Sequence, residues 1–218
     1  MTYMPHCVLI TGATGDFGQA FATRFVQGGA KVIVHGRDRV KVDALVARLG
    51  ASAYGMVCDV TDRAAMEASV AAIPAAFAGI DLLVNNAGGA LGLDKLQDAD
   101  PDDLDAMIDT NVRALVRMTR LILPRMVAAS RGHVVNIGSV AGNWPYPGGH
   151  VYCASKAFVR QFSLALRSDL AGTCVRVTNI EPGMVETQFS LARFKGDAAR
   201  ANAVYANTTP LKADDIAE

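Results

Sequence analysis

The sequence predicts an α/β protein built on a doubly wound parallel sheet of the Rossmann type. Four apolar runs, ending at Ile10, Val84, Ile137 and Ile180, each close on small or polar residues. Continuous apolar runs bounded in this way are typical of strands buried on both faces of a parallel sheet. Helical patterns separate the strands, which implies right-handed crossovers between them. At 218 residues the chain suits one well-buried domain and is too short for two ordinary ones, so we expect residues 1–218 to form a single domain.

The pattern of apolar residues predicts the positions of the strands and helices. Strands are predicted at residues 7–10, 31–35, 53–58, 81–84, 133–138 and 174–180. Helices are predicted from the turn after the first strand to about residue 28, and at residues 39–49, 62–72, 101–129 and 152–170. Pro124 lies inside the helix at 101–129 and is expected to bend or break it, because proline lacks the N–H that continues a helix.

Composition excludes several classes of partner. Lysine plus arginine and aspartate plus glutamate number 21 each, so the formal net charge is zero. Without a long run of either sign, nucleic acid and acidic membrane surfaces are not expected as main partners. No apolar stretch is long enough to span a bilayer, and no signal peptide is evident. The four scattered cysteines favour free core thiols and a reducing, cytoplasmic location.

A glycine-rich turn follows the first strand. Gly12, Gly15 and Gly18 lie between a strand and a helix, which is the setting of a dinucleotide-binding turn. Backbone N–H groups at the helix N-terminus then face the pyrophosphate, and the glycines let the two backbones approach. The alternative is a purely structural turn, since tight strand–helix connections also use glycine.

The residues after the second strand indicate which dinucleotide binds. An acidic residue there would hydrogen-bond the ribose hydroxyls of NAD, whereas an arginine pairs with the 2′-phosphate of NADP. Arg37 occupies this region and favours NADP. Asp38 beside it leaves two alternatives open. Asp38 could hydrogen-bond the ribose hydroxyls of NAD, or the whole segment could be a solvated turn.

Three residues near the ends of the fifth strand and the next helix suggest proton transfer. Tyr152 and Lys156 lie four residues apart and so share one helix face. A phenol with a pKa of about 10 is a poor acid or base at neutral pH, and we expect Lys156 to lower the pKa of Tyr152. Ser139 adds a hydroxyl suited to holding a substrate carbonyl. The alternatives are a tyrosine packed on a lysine stem and an ordinary turn serine.

In order and spacing, the motifs of the whole chain resemble the short-chain dehydrogenase/reductases. The matching motifs are Thr11-Gly12…Gly18, Asn85-Asn86-Ala87-Gly88, Asn111, Ser139, Tyr152-x-x-x-Lys156 and Pro182-Gly183-x-x-x-Thr187. Residues 143–149, 160–164 and 193–197 resemble a narrower group, the NADP-dependent 3-hydroxy acid dehydrogenases. That group acts on serine, threonine, 3-hydroxypropionate and related acids and reduces malonic semialdehyde. The resemblance implies hydride transfer between NADP and a small 3-hydroxy acid.

The resemblance also implies a role for each matching residue. Tyr152 would be the general acid/base, Lys156 would lower its pKa and bind the nicotinamide ribose, and Ser139 would position the substrate. Asn111 would hold a proton-relay water in a bent helix. The other cofactor contacts would be Gly12, Thr14, Gly15, Asp16, Phe17 and Gly18 in the turn, Arg37 and Asp59 on the adenosine side, Asn86 and Gly88 on the ribose side, and Pro182, Gly183 and Thr187 at the nicotinamide end.

Two features depart from the family's pattern. The family carries its middle glycine where this chain has Asp16, and the spacing here instead resembles the extended branch that contains sugar-nucleotide epimerases. A negative charge at that point interacts favourably with the helix dipole but repels the two phosphates of a dinucleotide. The family also continues a few dozen residues beyond Glu218, so we expect its last strand to be missing from this sequence. Its helix-pair interfaces imply a homo-oligomer, a dimer or a tetramer.

The substrate side is less specific. A 3-hydroxy acid needs a cation for its carboxylate, and Arg193 and Lys195 are the candidates within an expected mobile lid; a solvated loop is the alternative. Trp144 and Tyr146 are candidates for the pocket wall, or are ordinary packing aromatics. The four histidines lack ligand spacing, and no metal site is expected. Two other functions stay open: reduction of uncharged ketones or aldehydes, and NADP(H) binding without turnover.

Overall fold

The computed structural model describes residues 3–218, which form a single parallel sheet with helices on both faces. The strand order is β3-β2-β1-β4-β5-β6, and every neighbouring pair is parallel. The strands are β1 (Cys7–Ile10), β2 (Lys31–Gly36), β3 (Ala53–Val57), β4 (Leu82–Asn85), β5 (Gly132–Ile137) and β6 (Val175–Ile180). This confirms the doubly wound Rossmann-type fold, with each predicted strand found within one residue at either end.

The longer helices lie where they were predicted, and three short ones were not foreseen. The helices are α1 (Asp16–Gln27), α2 (Arg39–Leu49), α3 (Arg63–Ala71), α4 (Pro101–Ile108), α5 (Leu115–Ala128), α6 (His150–Asp169), α7 (Phe189–Arg193), α8 (Ala198–Ala203) and α9 (Ala213–Ala217). Asp62 caps α3 by accepting the N–H of Ala65 at 3.0 Å. The helices α7 to α9 span one or two turns each, too few for an apolar period to emerge from the sequence.

The predicted helix at 101–129 is interrupted, but not at its proline. One π-helical turn, Asp109–Ala114, separates α4 from α5, and α5 then continues through Pro124. The helix is therefore not broken at Pro124, contrary to that part of the expectation. Pro124 and Arg120, whose carbonyl would have bonded to residue 124, are both exposed. Solvent can therefore replace the hydrogen bond that the proline removes.

Apolar side chains alternate between the two faces of the sheet. On one face the strands pack against α3, α5 and α6, and on the other against α1 and α2. The first face is centred on Leu9, Ile33, Leu83, Met118 and Ile122, and the second on Val8, Ile10, Val32, Val34 and Phe21. Burial on both faces explains why the strands read as continuous apolar runs.

The strand register places four turns at one edge of the sheet. Ile10 is level with Val84, and Ile137 is level with Ile180. The chain order reverses between β1 and β4, and ligands of open parallel sheets bind at the carboxyl ends of the strands at such a reversal. The turns after β1, β4, β5 and β6 thus line one crevice.

Two further expectations concern the whole chain. Cys7, Cys58 and Cys153 are buried free thiols as predicted, whereas Cys174 is a free thiol on the surface, because it lies in the turn before β6. Within residues 3–218, no helix combines the length and the apolar character that crossing a membrane requires.

Candidate active site

The glycine-rich turn packs tightly against its neighbours on two sides. Gly12 has a φ of +62°, and a Cβ built there would lie 2.9 Å from the Cα of Ala87. A Cβ at Gly18 would lie 2.5 Å from the Cα of Ala13. Side chains at these two positions would push α1 and the turn after β4 away, so glycine is required for the close approach of the backbones.

The N-terminus of α1 faces an open space in front of this turn. Its N-cap is Gly15, which has no side chain to accept the N–H groups of the first turn. Those N–H groups have no partner within the helix and carry the positive end of its dipole. A Cβ at Gly15 would meet only the carbonyl oxygen of Gly12, at 3.6 Å. The residues therefore fit the diphosphate of a dinucleotide.

Asp38 and Arg37, the two candidates for contacting the adenosine ribose or its phosphate, differ in the contacts that they make at the ends of β2 and β3. Asp38 caps α2 by accepting the N–H of Lys41 at 3.2 Å. Arg37 is exposed and makes no ion pair with any described residue. The pKa of Asp59 is lowered mainly by hydrogen bonds from Thr61 and also by the charge of Arg37. Because Asp38 serves as a helix cap, Arg37 is the side chain available to a phosphate.

Asn86 ties the turn after β4 to the glycine-rich turn. Its Nδ2 donates to the carbonyls of Thr11 and Gly12, both at 3.0 Å. Both donors of the side-chain amide are therefore used within the protein. Asn86 shapes the crevice by holding the two turns together, and only its side-chain oxygen remains for a ligand.

Asn111 lies in the π-helical turn and connects two walls of the crevice. Its Nδ2 donates to the carbonyl of Gly89 at 2.8 Å and to Oγ of Ser155 at 3.0 Å, and its Oδ1 accepts the N–H of Gly89 at 2.9 Å. A Cβ at Gly88 would lie 2.9 Å from the same Oδ1. The side chain thus holds the β4 turn against α6.

Tyr152 and Lys156 share one face of α6, as predicted, and each is 8% exposed. The ammonium of Lys156 donates to the carbonyl of Ile137 at 2.7 Å and lies 5.8 Å from the centroid of the Tyr152 ring. Burial raises the pKa of Tyr152 to about 12 and lowers the pKa of Lys156 to about 8.

The prediction that Lys156 lowers the pKa of Tyr152 is wrong for this structure. The opposing influences on that pKa are a hydrogen bond from Ser139 and the charge of Arg193, both smaller than the effect of burial. Lys156 is not among the groups that shift this pKa, and its ammonium donates instead to the carbonyl of Ile137. Ser139 also accepts the N–H of Ala141 at 3.1 Å, which orients its hydroxyl beside the phenol.

Arg193 is a second cation beside Tyr152. Its guanidinium carbon lies 5.6 Å from the centroid of the Tyr152 ring and 5.4 Å from that of Tyr146. Nε donates to the carbonyl of Gly92 at 3.0 Å, and Nη2 donates to the Tyr146 hydroxyl at 2.8 Å. Arg193 is 8% exposed, and no carboxylate among residues 3–218 pairs with it.

The other two substrate-side candidates lie elsewhere. Lys195 is exposed, with Nζ 2.8 Å from a carboxylate oxygen of Asp103 and 3.4 Å from one of Asp100, so its charge is already paired. Trp144 is 74% exposed and projects into solvent, which corrects its predicted place in the pocket wall. Tyr146, by contrast, packs among the buried residues around Tyr152.

The segment after β6 forms the opposite wall. The buried Pro182 accepts the N–H of Val140 at 3.1 Å, which joins this segment to the Ser139 turn. Gly183 has open space where a side chain would stand. Thr187 accepts the N–H of Phe189 at 3.3 Å through Oγ1, at the start of α7.

Comparisons with known proteins agree with this geometry. The family model for short chain dehydrogenase matches residues 6–197. A 3-hydroxy acid dehydrogenase of Salmonella typhi, described as NADP-dependent, is 55% identical over 212 residues, 97% of this chain and 86% of its own. The chain belongs to the short-chain dehydrogenase family. Sulfoacetaldehyde reductase 2 of Chromohalobacter salexigens is 48% identical over 218 residues, 99% of this chain and 86% of its own. A solved structure, the closed form of serine dehydrogenase complexed with NADP+, superimposes with a TM-score of 0.95 at 52% identity, covering 97% of this chain and 86% of that one.

Some residues of this short-chain dehydrogenase site were not foreseen. Phe189 lies with its ring centroid 5.7 Å from that of Tyr152. His35, buried on β2, accepts the N–H of Gly12 at 3.1 Å through Nδ1, so its other nitrogen carries the proton toward the Cys58 carbonyl. No feature of the sequence marks Phe189. For His35 a signal existed, because a histidine inside an apolar strand that leads to the crevice indicates a polar contact near the site.

Across the described part of the chain, no three His, Cys, Asp or Glu side chains cluster in a way that could hold a metal ion.

Proposed function

We propose that this chain is an NADP(H)-dependent oxidoreductase that interconverts a small 3-hydroxy acid and its 3-oxo form. The observation that carries the proposal is the buried guanidinium of Arg193, which lies over the ring of Tyr152 and has no carboxylate partner in residues 3–218. A buried charge without a counter-ion is costly, so a site that keeps one is suited to an anionic ligand.

The remaining donors of Arg193 match a carboxylate. Two of its five N–H bonds have partners among the described residues, Gly92 and Tyr146, which leaves the others for a ligand. In a 3-hydroxy acid only two bonds separate the carboxyl carbon from the carbinol carbon, about 2.5 Å. One small acid can therefore engage Arg193 with its carboxylate and Tyr152 with its hydroxyl.

Tyr152 moves the proton. When bound, NADP(H) supplies or takes up the hydride at its nicotinamide. Because burial raises the pKa of Tyr152 to about 12, its phenol is protonated at neutral pH and donates to the oxygen of the 3-oxo acid. In the reverse direction Tyr152 first releases its own proton toward solvent, and the resulting phenolate, stabilised by Ser139 and Arg193, then takes up the proton of the hydroxyl.

Two neighbours of Tyr152 complete the proton path. Lys156 uses one N–H bond on Ile137 and keeps two for the hydroxyls of the nicotinamide ribose. The Oδ1 of Asn111 accepts one hydrogen bond, from Gly89, and has a second lone pair that suits a relay water.

The dinucleotide is NADP(H) rather than NAD(H). Arg37 is unpaired within residues 3–218 and positively charged, and Asp38 serves as the cap of α2. The residues expected to line the cofactor site are Gly12, Thr14, Gly15, Asp16, Phe17, Gly18, Arg37, Asp59, Asn86, Gly88, Tyr152, Lys156, Pro182, Gly183 and Thr187. A relative described as NADP-dependent and a neighbour solved with NADP+ support the assignment.

The relatives also suggest a second class of anion. The three relatives named above are called after a 3-hydroxy acid, serine and sulfoacetaldehyde, all of which carry a carboxylate or a sulfonate. A guanidinium binds either group through paired N–H donors. Reduction of a small sulfonated aldehyde is therefore the second candidate function.

The test compares acids with an uncharged alcohol in the wild type and in Arg193→Met. NADP+ reduction is measured with L-serine, 3-hydroxybutyrate and 2-butanol, and NADPH oxidation with sulfoacetaldehyde. We expect kcat/KM for the anions to fall about 100-fold in Arg193→Met, because a charge-assisted pair is lost, with little change for 2-butanol. Lys195→Met, which removes a neighbouring exposed cation, is the matched control and should leave all substrates unchanged.

Each alternative has its own signature. Faster turnover of 2-butanol than of any anion, unaffected by Arg193→Met, would indicate a reductase of uncharged ketones or aldehydes. NADPH binding without turnover of any substrate would indicate a non-catalytic binding protein.

Self-association is part of the proposal. Phe158 and Leu164 are each 38% exposed on α6, and Phe158 stacks on Phe162 at 5.8 Å, so this helix presents an apolar strip. Sedimentation velocity should show a dimer or a tetramer, and a monomer at micromolar concentration would contradict it.

A further inference from the structure

A single hydrogen bond joins the glycine-rich turn to the opposite wall of the crevice. Asp16, the first residue of α1, accepts the backbone N–H of Gln188 through Oδ2 at 2.6 Å. The two residues are 172 positions apart in the chain. No other hydrogen bond in the described part of the chain links the glycine-rich turn directly to the start of α7.

The far end of this bond belongs to the helix that carries the anion-binding arginine. Gln188 is the N-cap residue of α7 (Phe189–Arg193), and its N–H would have no partner within that helix. At the other end of α7, Arg193 is held by Gly92, through N–H···O bonds of 3.0 Å in both directions. Asp16 therefore fastens the end of α7 that Gly92 does not.

The near end of the bond lies where a diphosphate is expected. The Asp16 carboxylate stands at the N-terminus of α1, whose dipole and unpaired N–H groups favour one anion. A dinucleotide brings two more negative charges to the same place. Like charges in close proximity weaken binding unless one of them moves or is neutralised.

We propose that Asp16 is a positioning residue with two opposed effects: it fastens α7 to the glycine-rich turn in the free protein, and its charge weakens binding of the dinucleotide. The second effect rests on the proposed function, because it requires a diphosphate-containing cofactor. The first effect concerns the free protein alone. Asp16 thus maintains the position of Phe189 and Arg193 in the absence of cofactor and favours cofactor release.

Two substitutions separate the effects. In Asp16→Asn the amide oxygen can still accept the N–H of Gln188, but the charge is gone. In Asp16→Ala both the acceptor and the charge are gone. Asp43→Asn, on the exposed face of α2, removes one negative charge outside the crevice and is the control for net charge.

The charge effect is measured as cofactor affinity, without turnover. Fluorescence titration should show that NADPH binds Asp16→Asn at least about fivefold more tightly than the wild type. This is the ratio expected when one repulsion between like charges is removed from a solvent-exposed site. The ratio should shrink in 0.5 M salt. Adenosine 2′-monophosphate, which lacks the diphosphate, should bind equally to both proteins, whereas a general change of the fold would alter both ligands. Asp43→Asn should behave as the wild type.

The fastening effect is measured in the free protein. Hydrogen exchange of residues 186–190, followed by mass spectrometry, should be at least about fivefold faster in Asp16→Ala than in the wild type, because the amide of Gln188 loses its acceptor. Asp16→Asn should exchange within about twofold of the wild type. A peptide from the sheet, residues 132–137, serves as the internal reference.

The outcomes distinguish this inference from the proposed function. Equal or weaker NADPH binding by Asp16→Asn would overturn the charge effect, and unchanged exchange in Asp16→Ala would overturn the fastening. If the wild type binds no NADPH while Asp16→Ala still exchanges faster, the proposed function fails and the fastening stands.

Discussion

Replacing Lys156 by methionine should stabilise the fold while abolishing activity. Burial lowers the pKa of Lys156 from 10.5 to about 8, so folding at neutral pH must bury an ammonium. At about 1.4 kcal/mol per pH unit, this difference corresponds to about 3 kcal/mol of lost stability. Methionine keeps an unbranched stem of similar length without the charge. It leaves the Ile137 carbonyl without a donor, which costs about 1–2 kcal/mol, so we expect a net gain of about 1–2 kcal/mol at pH 7.

The pH dependence of this gain is the sharper test. Because the pKa of Lys156 is lower in the folded state, the unfolded chain holds more protons between pH 8 and 10.5. The stability of the wild type relative to the variant therefore rises with pH across that range. The penalty for burying the ammonium is complete below about pH 8 and disappears above about 10.5, where both states are neutral. The gain seen at pH 7 should vanish or reverse by pH 10.

Urea unfolding of both proteins at pH 7, 8.5 and 10 measures this effect. Comparing the variant with the wild type at each pH cancels the titration of every other group that the two share. Lys195→Met is the matched control: its ammonium is exposed and paired with Asp103, so this substitution should give no gain at pH 7. A Lys156→Met protein that is less stable than the wild type at pH 7, or whose gain is the same at pH 7 and pH 10, would refute the reasoning.

Four other substitutions probe the same crevice. Tyr152→Phe keeps the ring and removes the hydroxyl, so turnover should fall at least about 100-fold while the Kd for NADPH, measured by fluorescence, stays within about twofold; retained activity would remove the acid/base role. Arg37→Ala should raise the Kd for NADPH at least about tenfold and leave that for NADH nearly unchanged, since only the former carries the 2′-phosphate. Equal losses for both dinucleotides would contradict that preference. Gly18→Ala places a Cβ 2.5 Å from the Cα of Ala13, so urea unfolding should show a loss of about 1–3 kcal/mol. Gly15→Ala, with 3.6 Å to its nearest neighbour, should change stability by less than about 0.5 kcal/mol, and equal values for the two would argue against the close approach at Gly18.

The strands could be predicted well because their burial leaves a direct mark on the sequence. A strand covered on both faces must be apolar at every position, and β1 (Cys7–Ile10) was predicted with its exact bounds. The break in the long helix left no comparable mark. Proline is a strong local signal, yet Pro124 is tolerated, whereas the π-helical turn Asp109–Ala114 coincides with the hydrogen bonds that Asn111 makes to Gly89 and Ser155. Those partners lie far away in the chain, so the position of the break depends on tertiary contacts.

The candidate site divides in the same way. Residues at strand ends and at helical spacing could be found from the sequence, because secondary structure alone brings Tyr152 and Lys156 onto one face. The directions of their polar groups could not be predicted, because a lysine side chain can reach any acceptor within several ångströms. Lys156 donates to the carbonyl of Ile137 rather than to the phenol. Arg193 and Lys195 were equal candidates for the carboxylate until the structure showed that Lys195 pairs with Asp103.

The sequence by itself determined the parallel sheet, the crevice at its carboxyl edge and the residue types that line it, since these depend on apolar periodicity and on the residues that come after each strand. Only the tertiary structure decided which charges remain unpaired there. Arg193 is buried over Tyr152 with no acid from residues 3–218 beside it, and Asp16 spans the crevice to Gln188. Electrostatic interactions depend on distance and burial, and neither can be read from positions along a chain.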